Sequence, residues 1–260
     1  MTRAEFRDLS FQYPGLTKKV FEEMSWIGEE GMTYGLVGMN GSGKSTFLRL
    51  LAGLIRPTAG KVLIQDIEVK GTNQTKNSVT YVPENAKLFL VGPTPRQDLT
   101  RLIRDPDQAN SYYEQPTFAS LADKRLYHLS EGQRRLVSLY HAFLSSKELL
   151  LLDEPTIGLD QNGRAFLTEQ LNRAKSQGRL VIVSTNDTRI LPYLDRLVLV
   201  GQGKVLLDGP PAEVLYALEE ITGLLPNQVV QLVSRLEELL DRQLPHPTSV
   251  EEFQGTEMFQ

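Results

Sequence analysis

The chain has 260 residues, 28 lysines and arginines against 32 aspartates and glutamates, 40% hydrophobic residues and no cysteine, which excludes a disordered or fibrous chain and allows a core without disulfides. A formal net charge of -4 leaves no overall basic footprint, so nucleic acid is not an expected partner. Without cysteine there is no thiol catalysis and no cysteine zinc site, and His128, His141 and His246 are too scattered to suggest a metal cage. Residues 1–8 carry charges where a signal peptide needs an apolar run, and no stretch reaches the ~18 to 20 apolar residues of a membrane span. The expected location is therefore the cytosol, with any membrane role exercised through a partner that does span.

In chain order, residues 4–13 and 61–69 carry β-branched and aromatic residues with partial alternation, and 20–27 reads less clearly as a strand. Together they predict an N-terminal antiparallel sheet. Residues 33–37 are a short apolar run ending in glycine, and 45–54 is a predicted helix opened by Ser45 and closed before Arg56-Pro57. Residues 85–145 lack strand runs and contain helical stretches at 95–104 and 133–145, the mark of a helical lobe of about that extent inserted into the core. Apolar runs at 149–152, 180–183 and 197–200, with helical segments between them, have the pattern of parallel strands buried on both faces. After Pro226 the spacing of Val229, Val233, Leu236 and Leu240, with Leu232 and Leu239 beside it, predicts an amphipathic helix of about four turns. It packs either on its own domain or against a partner helix. The expected fold class is α/β, a mixed sheet with parallel core strands, with an N-terminal antiparallel β-subdomain and an inserted helical subdomain.

Two motifs carry chemistry. Gly38-Met39-Asn40-Gly41-Ser42-Gly43-Lys44-Ser45 fits the phosphate-loop pattern G-x-x-x-x-G-K-[ST], between a predicted strand and a predicted helix as its mechanism requires. The glycines let successive N–H groups face a phosphate, the helix N-terminus adds its dipole, Lys44 reaches the β and γ phosphates, and the Ser45 hydroxyl is a Mg²⁺ ligand. Leu149-Leu150-Leu151-Leu152-Asp153-Glu154 is an apolar strand ending in two carboxylates. Asp153 is the candidate for holding Mg²⁺ at the strand's end, and Glu154 for orienting and polarising an attacking water.

Leu129-Ser130-Glu131-Gly132-Gln133 opens the predicted helix at the end of the helical lobe. On its residues alone it is a helix cap, Ser130 with Gln133 forming a capping box. It also resembles the LSGGQ signature of ATP-binding cassette (ABC) ATPases. The order of phosphate loop, helical insert, signature, LLLLDEP and Gly158-Leu159-Asp160 resembles that family throughout residues 4–215. The resemblance implies a phosphate-loop ATPase core that uses ATP and Mg²⁺. It implies that Tyr13 stacks on adenine, although a half-buried strand aromatic is the other reading of that residue. It further implies that Gly38, Asn40, Gly41, Ser42, Gly43, Lys44, Ser45 and Thr46 hold phosphate. Ser130, Gly132 and Gln133 would bind the γ-phosphate of the nucleotide held by a second subunit, toward which Asp160 reaches. Two positions depart from the family's pattern: Glu84 stands where glutamine is usual and Asn186 where histidine is usual. Glu84 keeps a metal-binding oxygen but adds charge, and Asn186 keeps a donor but cannot become a cation. The expected catalytic set is thus Glu154, Lys44, Asn186 and Glu84, the expected metal set Ser45, Asp153 and Glu84, and turnover should suffer more than binding.

Within the family, Val91-Gly92-Pro93-Thr94 with Gln97-Asp98-Leu99, and after the core Ile221-Thr222-Gly223-Leu224-Leu225-Pro226, Leu244-Pro245 and Thr248-Ser249-Val250-Glu251-Glu252, resemble the ATPase subunits of energy-coupling factor (ECF) transporters. Residues 100–126 are shorter than that resemblance implies, which bears on the surface that meets the membrane partner. What it implies is an ATP-hydrolysing importer subunit for a vitamin or metal ion, on the cytoplasmic face of the cell membrane. Its partners would be a second ATPase subunit, identical or different, an integral membrane coupling protein and a substrate-binding membrane protein. Residues 1–220 would form the ATPase domain and 221–260 a C-terminal helical extension that contacts the second subunit. An exporter ATPase and a soluble regulatory ATPase with slow turnover are the competing expectations.

Overall fold

The computed structural model describes residues 3–103, 106–114 and 116–256. Its strands are β1 (Ala4–Phe11), β2 (Phe21–Gly28), β3 (Thr33–Val37), β4 (Ala59–Ile64), β5 (Ile67–Glu68), β6 (Val79–Val82), β7 (Leu149–Asp153), β8 (Leu180–Ser184), β9 (Arg196–Gly201) and β10 (Lys204–Gly209). They form a four-stranded antiparallel sheet ordered β2-β1-β4-β5 and a six-stranded sheet ordered β10-β9-β3-β8-β7-β6. In the larger sheet every neighbouring pair is parallel except β10 with β9. The helices are α1 (Lys44–Leu51), α2 (Thr72–Thr75), α3 (Pro95–Leu102), α4 (Pro106–Ser111), α5 (Pro116–Ala119), α6 (Glu131–Leu144), α7 (Gln161–Ser176), α8 (Pro211–Thr222), α9 (Gln228–Leu240) and α10 (Val250–Gly255).

The apolar runs of β7 and β8 lack polar alternation because both faces of the parallel sheet are covered, and every residue of both strands is buried. Leu149, Leu151, Leu180 and Ile182 pack with Phe47, Leu48 and Leu51 of α1 and with Phe6 of the antiparallel sheet. Leu150, Leu152, Val181 and Val183 face the other way, onto Leu139 of α6 and Leu167 and Leu171 of α7. Each such side chain contributes about 1.5–3 kcal/mol on burial. The functional consequence is directional: β3, β6, β7 and β8 run parallel, so Gly38, Glu84, Glu154 and Asn186, which follow them, emerge at one edge, where open α/β sheets bind ligands.

Several boundaries differ from the sequence reading. The expected strand 61–69 is two strands of a hairpin, in which Ile64 pairs with Ile67 across Gln65 and Asp66 at φ 52° and 62°. A turn with both central residues left-handed normally announces itself by Asn-Gly or Asp-Gly, and this one carries neither. β1 stops at Phe11 rather than 13, and α1 runs only to Leu51, with Gly53 at φ 70° turning the chain away. α6 begins at Glu131 because Ser130 and Gln133 form the capping box. α3 ends at Leu102, and Arg104 of the expected helix lies outside the described residues.

Between β6 and β7 the described residues form helices and no strand, and a buried polar chain ties them together. Asp98 of α3, 1% exposed, accepts the N–H groups of Val91 (2.8 Å) and Gly92 (2.7 Å) on one carboxylate oxygen and meets His141 Nδ1 of α6 at 2.9 Å on the other. His141 Nε2 lies 2.5 Å from the Tyr113 hydroxyl. Burial works to raise the Asp98 carboxyl, but His141 and the two N–H groups overcome it and hold it below the usual carboxylate range. Burial also lowers His141, with Asp98 opposing.

At the C-terminal end, α8 buries Val214, Leu215 and Leu218 against the second face of the large sheet, together with Val230 of α9. Of the apolar stripe expected on α9 only Val233 is buried; Val230, not expected on it, is buried beside it, Val229 is half-buried, and Leu232, Leu239 and Leu240 are exposed. The residues that follow are tied back onto the body. His246 stacks on Tyr216 with ring centroids 4.0 Å apart, the Tyr216 hydroxyl donates to Pro247 O (3.0 Å), and Tyr193 donates to Glu251 (3.3 Å).

Replacing Asp98 by alanine strands two backbone donors and the His141 ring in a buried place. We expect Asp98→Ala to cost on the order of 3 kcal/mol of stability, read as a lower urea midpoint at unchanged slope; an unchanged midpoint would show that the chain is not a structural brace.

Candidate functional site

Gly38 opens the loop after β3 at φ +153°, and a Cβ there would stand 2.3 Å from Val200 O, so no other residue fits without moving β9. The loop ends at Gly43, which caps α1 with no side-chain acceptor. The first N–H groups of α1 are thereby left to an anion, the arrangement a phosphate requires. Lys44, 7% exposed, folds back so that Nζ donates to Gly38 O (2.6 Å) and Met39 O (3.3 Å). Burial lowers its pKa below the usual lysine range, with Glu154 and Asp153 opposing.

Asp153 at the end of β7 is 1% exposed and accepts three hydroxyls: Ser45 (3.0 Å) and Ser184 (2.5 Å) on Oδ1, and Tyr81 (3.0 Å) on Oδ2. Because Ser45 gives its proton to Asp153, its lone pairs remain for a cation. Among the described residues no group of three or more His, Asp or Glu side chains could cage a metal. The donors present, a hydroxyl and a carboxylate, suit a hard divalent ion such as Mg²⁺ that completes its shell with phosphate oxygens and water.

Glu154 sits one residue beyond the strand at φ +47°, uncommon for a side-chain-bearing residue, and is held there by its N–H to Ser184 O (2.9 Å). Its carboxylate accepts the Asn186 N–H (3.3 Å). Burial raises its pKa, with the Asn186 N–H and Lys44 opposing. The Asn186 amide donates to Asn40 Oδ1 (2.8 Å), joining the ends of β8 and β3 across the cleft. Tyr13 lines the far end, its hydroxyl 3.0 Å from Thr46 Oγ1. These residues surround an open cleft of about 1090 Å³, walled also by Gly41, Gly43, Glu84, Arg164 and Arg189.

The signature residues lie apart from that cleft. Ser130 accepts the Gln133 N–H (3.2 Å), Gln133 returns the bond to Ser130 N–H (3.1 Å), and Ser130, Gly132 and Gln133 are not among the cleft walls. Gly132 packs on the loop after β7, where a Cβ would lie 2.4 Å from Gly158 O. Asp160 caps α7 by accepting the Gly163 N–H (2.7 Å). Glu84 is exposed, and its turn is anchored from α6: the Arg135 guanidinium donates to Pro83 O (3.0 Å) and to Glu84 O. Arg135 is 1% exposed, and burial lowers its pKa against the opposing fields of Glu131, Glu84, Asp153 and Glu154. Sequence reasoning missed Arg135, Tyr81 and Ser184 as site residues. The apolar surroundings of Tyr81 and Ser184 mark them only as strand positions, while Arg135 reads as one more surface cation of a helix.

A glycine loop at a helix N-terminus, a hydroxyl–carboxylate pair beside it and a second acid at the sheet's carboxyl edge define a phosphate-loop nucleotide site. The ABC transporter family model matches residues 21–157, and the chain belongs to that family. It is an ATP-binding ATPase. Among curated proteins it is similar to the energy-coupling factor transporter ATP-binding protein EcfA of Methanocaldococcus jannaschii, 30% identical over 251 residues that span 92% of this chain and 89% of that one. The protein of the same name from Methanococcus maripaludis is 28% identical over 256 residues, 94% of this chain and 91% of that one. Among solved structures, cbiO1 of Clostridium perfringens, part of the ABC transporter complex cbiONQ, superposes with a TM-score of 0.72 at 24% identity, covering 92% of this chain and 98% of that one. An ATP-bound bacterial Atm1-family ABC exporter gives 0.73 at 20% identity over 82% of this chain and 39% of that one. These two superpositions establish the fold and do not separate import from export.

Proposed function

We propose that the chain is the ATP-hydrolysing subunit of an energy-coupling-type importer of a vitamin or metal ion. It would work at the cytoplasmic face of the membrane with a second ATPase subunit, an integral coupling protein and a substrate-binding membrane protein. The observation that carries the reading is the convergence of Lys44, Ser45, Glu154 and Asn186 on one cleft, with the buried Asp153 hydrogen-bonded to Ser45. The similarity to the EcfA proteins over most of both chains supports the branch. Among the described residues no helix is long and apolar enough to cross a membrane, consistent with attachment through partners.

In this reading Lys44 exchanges the Gly38 and Met39 carbonyls for the β and γ phosphates, while the α1 N–H groups and the loop hold the rest of the chain of phosphates. Tyr13 offers its ring to adenine. Ser45 and Asp153 would hold Mg²⁺, with Glu84 as a further candidate ligand, and the ion would supply Lewis-acid stabilisation of charge on the phosphate oxygens. Glu154 accepts the proton of the attacking water, whose oxygen forms a bond to the γ-phosphorus as the bond to the ADP oxygen breaks. Its burial raises its proton affinity toward that task. Ser130, Gly132 and Gln133, at the start of α6, face the nucleotide of the second subunit, and Asp160 extends toward it. The exposed Leu232, Leu239 and Leu240 of α9 offer a further contact to that subunit. The membrane partner docks beside the Glu84 turn, where Leu88, Val91 and Tyr127 are 72%, 70% and 72% exposed.

Steady-state hydrolysis by the purified chain, alone and as Lys44→Ala, tests the site; we expect the variant to lose turnover by at least ~10³-fold and to bind ATP weakly, and equal turnover would refute the assignment. Purification from detergent-solubilised membranes tests the role. An integral coupling subunit and a small substrate-binding membrane protein should accompany the chain, whereas ribosomes or DNA in their place would contradict it.

Asn186 carries no titratable proton, so in the nucleotide-free chain, which kcat/KM reports, the acidic limb belongs to Glu154 and should lie above the usual carboxylate range, with an alkaline limb below the usual lysine range set by Lys44. Asn186→His should raise kcat by about 10²-fold, the typical worth of one donor to developing charge. Brisk turnover by the unmodified chain, unchanged in Asn186→Ala, would contradict a site slowed by Asn186.

A further inference from the structure

The two serine hydroxyls on Asp153 have plain reasons to be there, since Ser45 is a candidate cation ligand and Ser184 pairs directly with Asp153 in the β7–β8 ladder. The third donor has none. Tyr81 comes from β6, the edge strand, where it pairs with Leu151, and its hydroxyl reaches over to Asp153 Oδ2 at 3.0 Å. Arg49 of α1 interacts through its guanidinium with the Tyr81 phenol and also with that of Tyr13. A cation on the acceptor side of a phenol fixes the direction of its proton, so Arg49 polarises Tyr81 and Tyr81 donates to the carboxylate.

We propose that Tyr81, oriented by Arg49, is a positioning residue that fixes the rotation of the Asp153 carboxylate and thereby sets the affinity of the Ser45–Asp153 pair for its divalent cation. This rests on the reading of that pair as the Mg²⁺ site. The plane of the Asp153 carboxylate turns about the Cβ–Cγ bond; with Ser45 and Ser184 sharing Oδ1, the hydrogen bond to Oδ2 decides whether Oδ1 stays in line with the Ser45 proton. That line decides in turn where the Ser45 lone pairs point. Losing an outer-shell partner of this kind typically costs about 10- to 100-fold in metal affinity.

The test is Mn²⁺ binding followed by electron paramagnetic resonance on the full chain with ATP, in a Glu154→Gln background that prevents turnover. Tyr81→Phe keeps the ring and its packing and should weaken Mn²⁺ by about 10-fold or more, while the affinity for ATP in EDTA and the thermal midpoint stay unchanged. Arg49→Gln should act in the same direction, and Arg49→Lys should recover part of the loss. Should Tyr81→Phe fail to fold, the Arg49 pair carries the test unaided. Asp153→Asn serves as the control and should abolish Mn²⁺ binding. Mn²⁺ affinity unchanged in Tyr81→Phe and Arg49→Gln, but lost in Asp153→Asn, would overturn the positioning role and leave the site assignment standing. Mn²⁺ affinity unchanged in Asp153→Asn would remove the metal site, and the proposal with it.

Discussion

Asp153 closes a strand whose four preceding leucines are buried against packed side chains on both faces of the sheet. A carboxylate placed there costs several kcal/mol unless its oxygens are hydrogen-bonded. Three hydroxyls supply those bonds, and each comes from a different neighbour: α1 through Ser45, β8 through Ser184 and β6 through Tyr81. Satisfying one buried charge therefore draws the start of α1, and with it the glycine loop, onto the end of β7. Lys44 is then carried into the cleft, and Glu154, the next residue along, is turned into a left-handed conformation that aims it at the same space.

The same edge communicates with the helical insert through backbone carbonyls. Arg135, in the second turn of α6, bonds Pro83 O and Glu84 O, so the helix that starts at Ser130 and the turn that carries Glu84 are one mechanical piece. Asp98 and His141 extend that piece to Val91 and Gly92, next to the exposed apolar side chains at the surface. The packing thus offers a contiguous route between the signature and the outer surface.

Much of this was legible in the sequence where the chemistry is local. A glycine loop needs its residues contiguous, and a catalytic acid following a strand needs only an apolar run before it, so residues 38–46 and the pair Asp153 and Glu154 stood out. The capping box at Ser130 and Gln133 was legible for the same reason. What was not legible depends on which strands lie side by side. Tyr81 and Ser184 meet Asp153 because β6 and β8 flank β7, and no spacing along the chain encodes that order. The bond between Asn186 and Asn40 joins residues 146 positions apart. The hairpin at Gln65 and Asp66 was missed because its residues are poor announcers of a left-handed turn. The stripe expected on α9 named Val229, Val233 and the leucines; the helix instead buries Val230 with Val233, leaves Val229 half-buried and exposes Leu232, Leu239 and Leu240, a division that periodicity alone could not make.

The central claim is that Glu154 serves the attacking water while Lys44, Ser45 and Asp153 hold the nucleotide, so the two tasks are separable. Glu154→Gln separates them by removing the acceptor and keeping the shape. Parallel measurement of ATP affinity, single-turnover hydrolysis and sedimentation with Mg²⁺ and ATP gives the direct reading. The account predicts affinity near that of the unmodified chain, hydrolysis reduced by at least about 10²-fold, and a stable ATP-bound dimer. Hydrolysis at the unmodified rate in Glu154→Gln would contradict it.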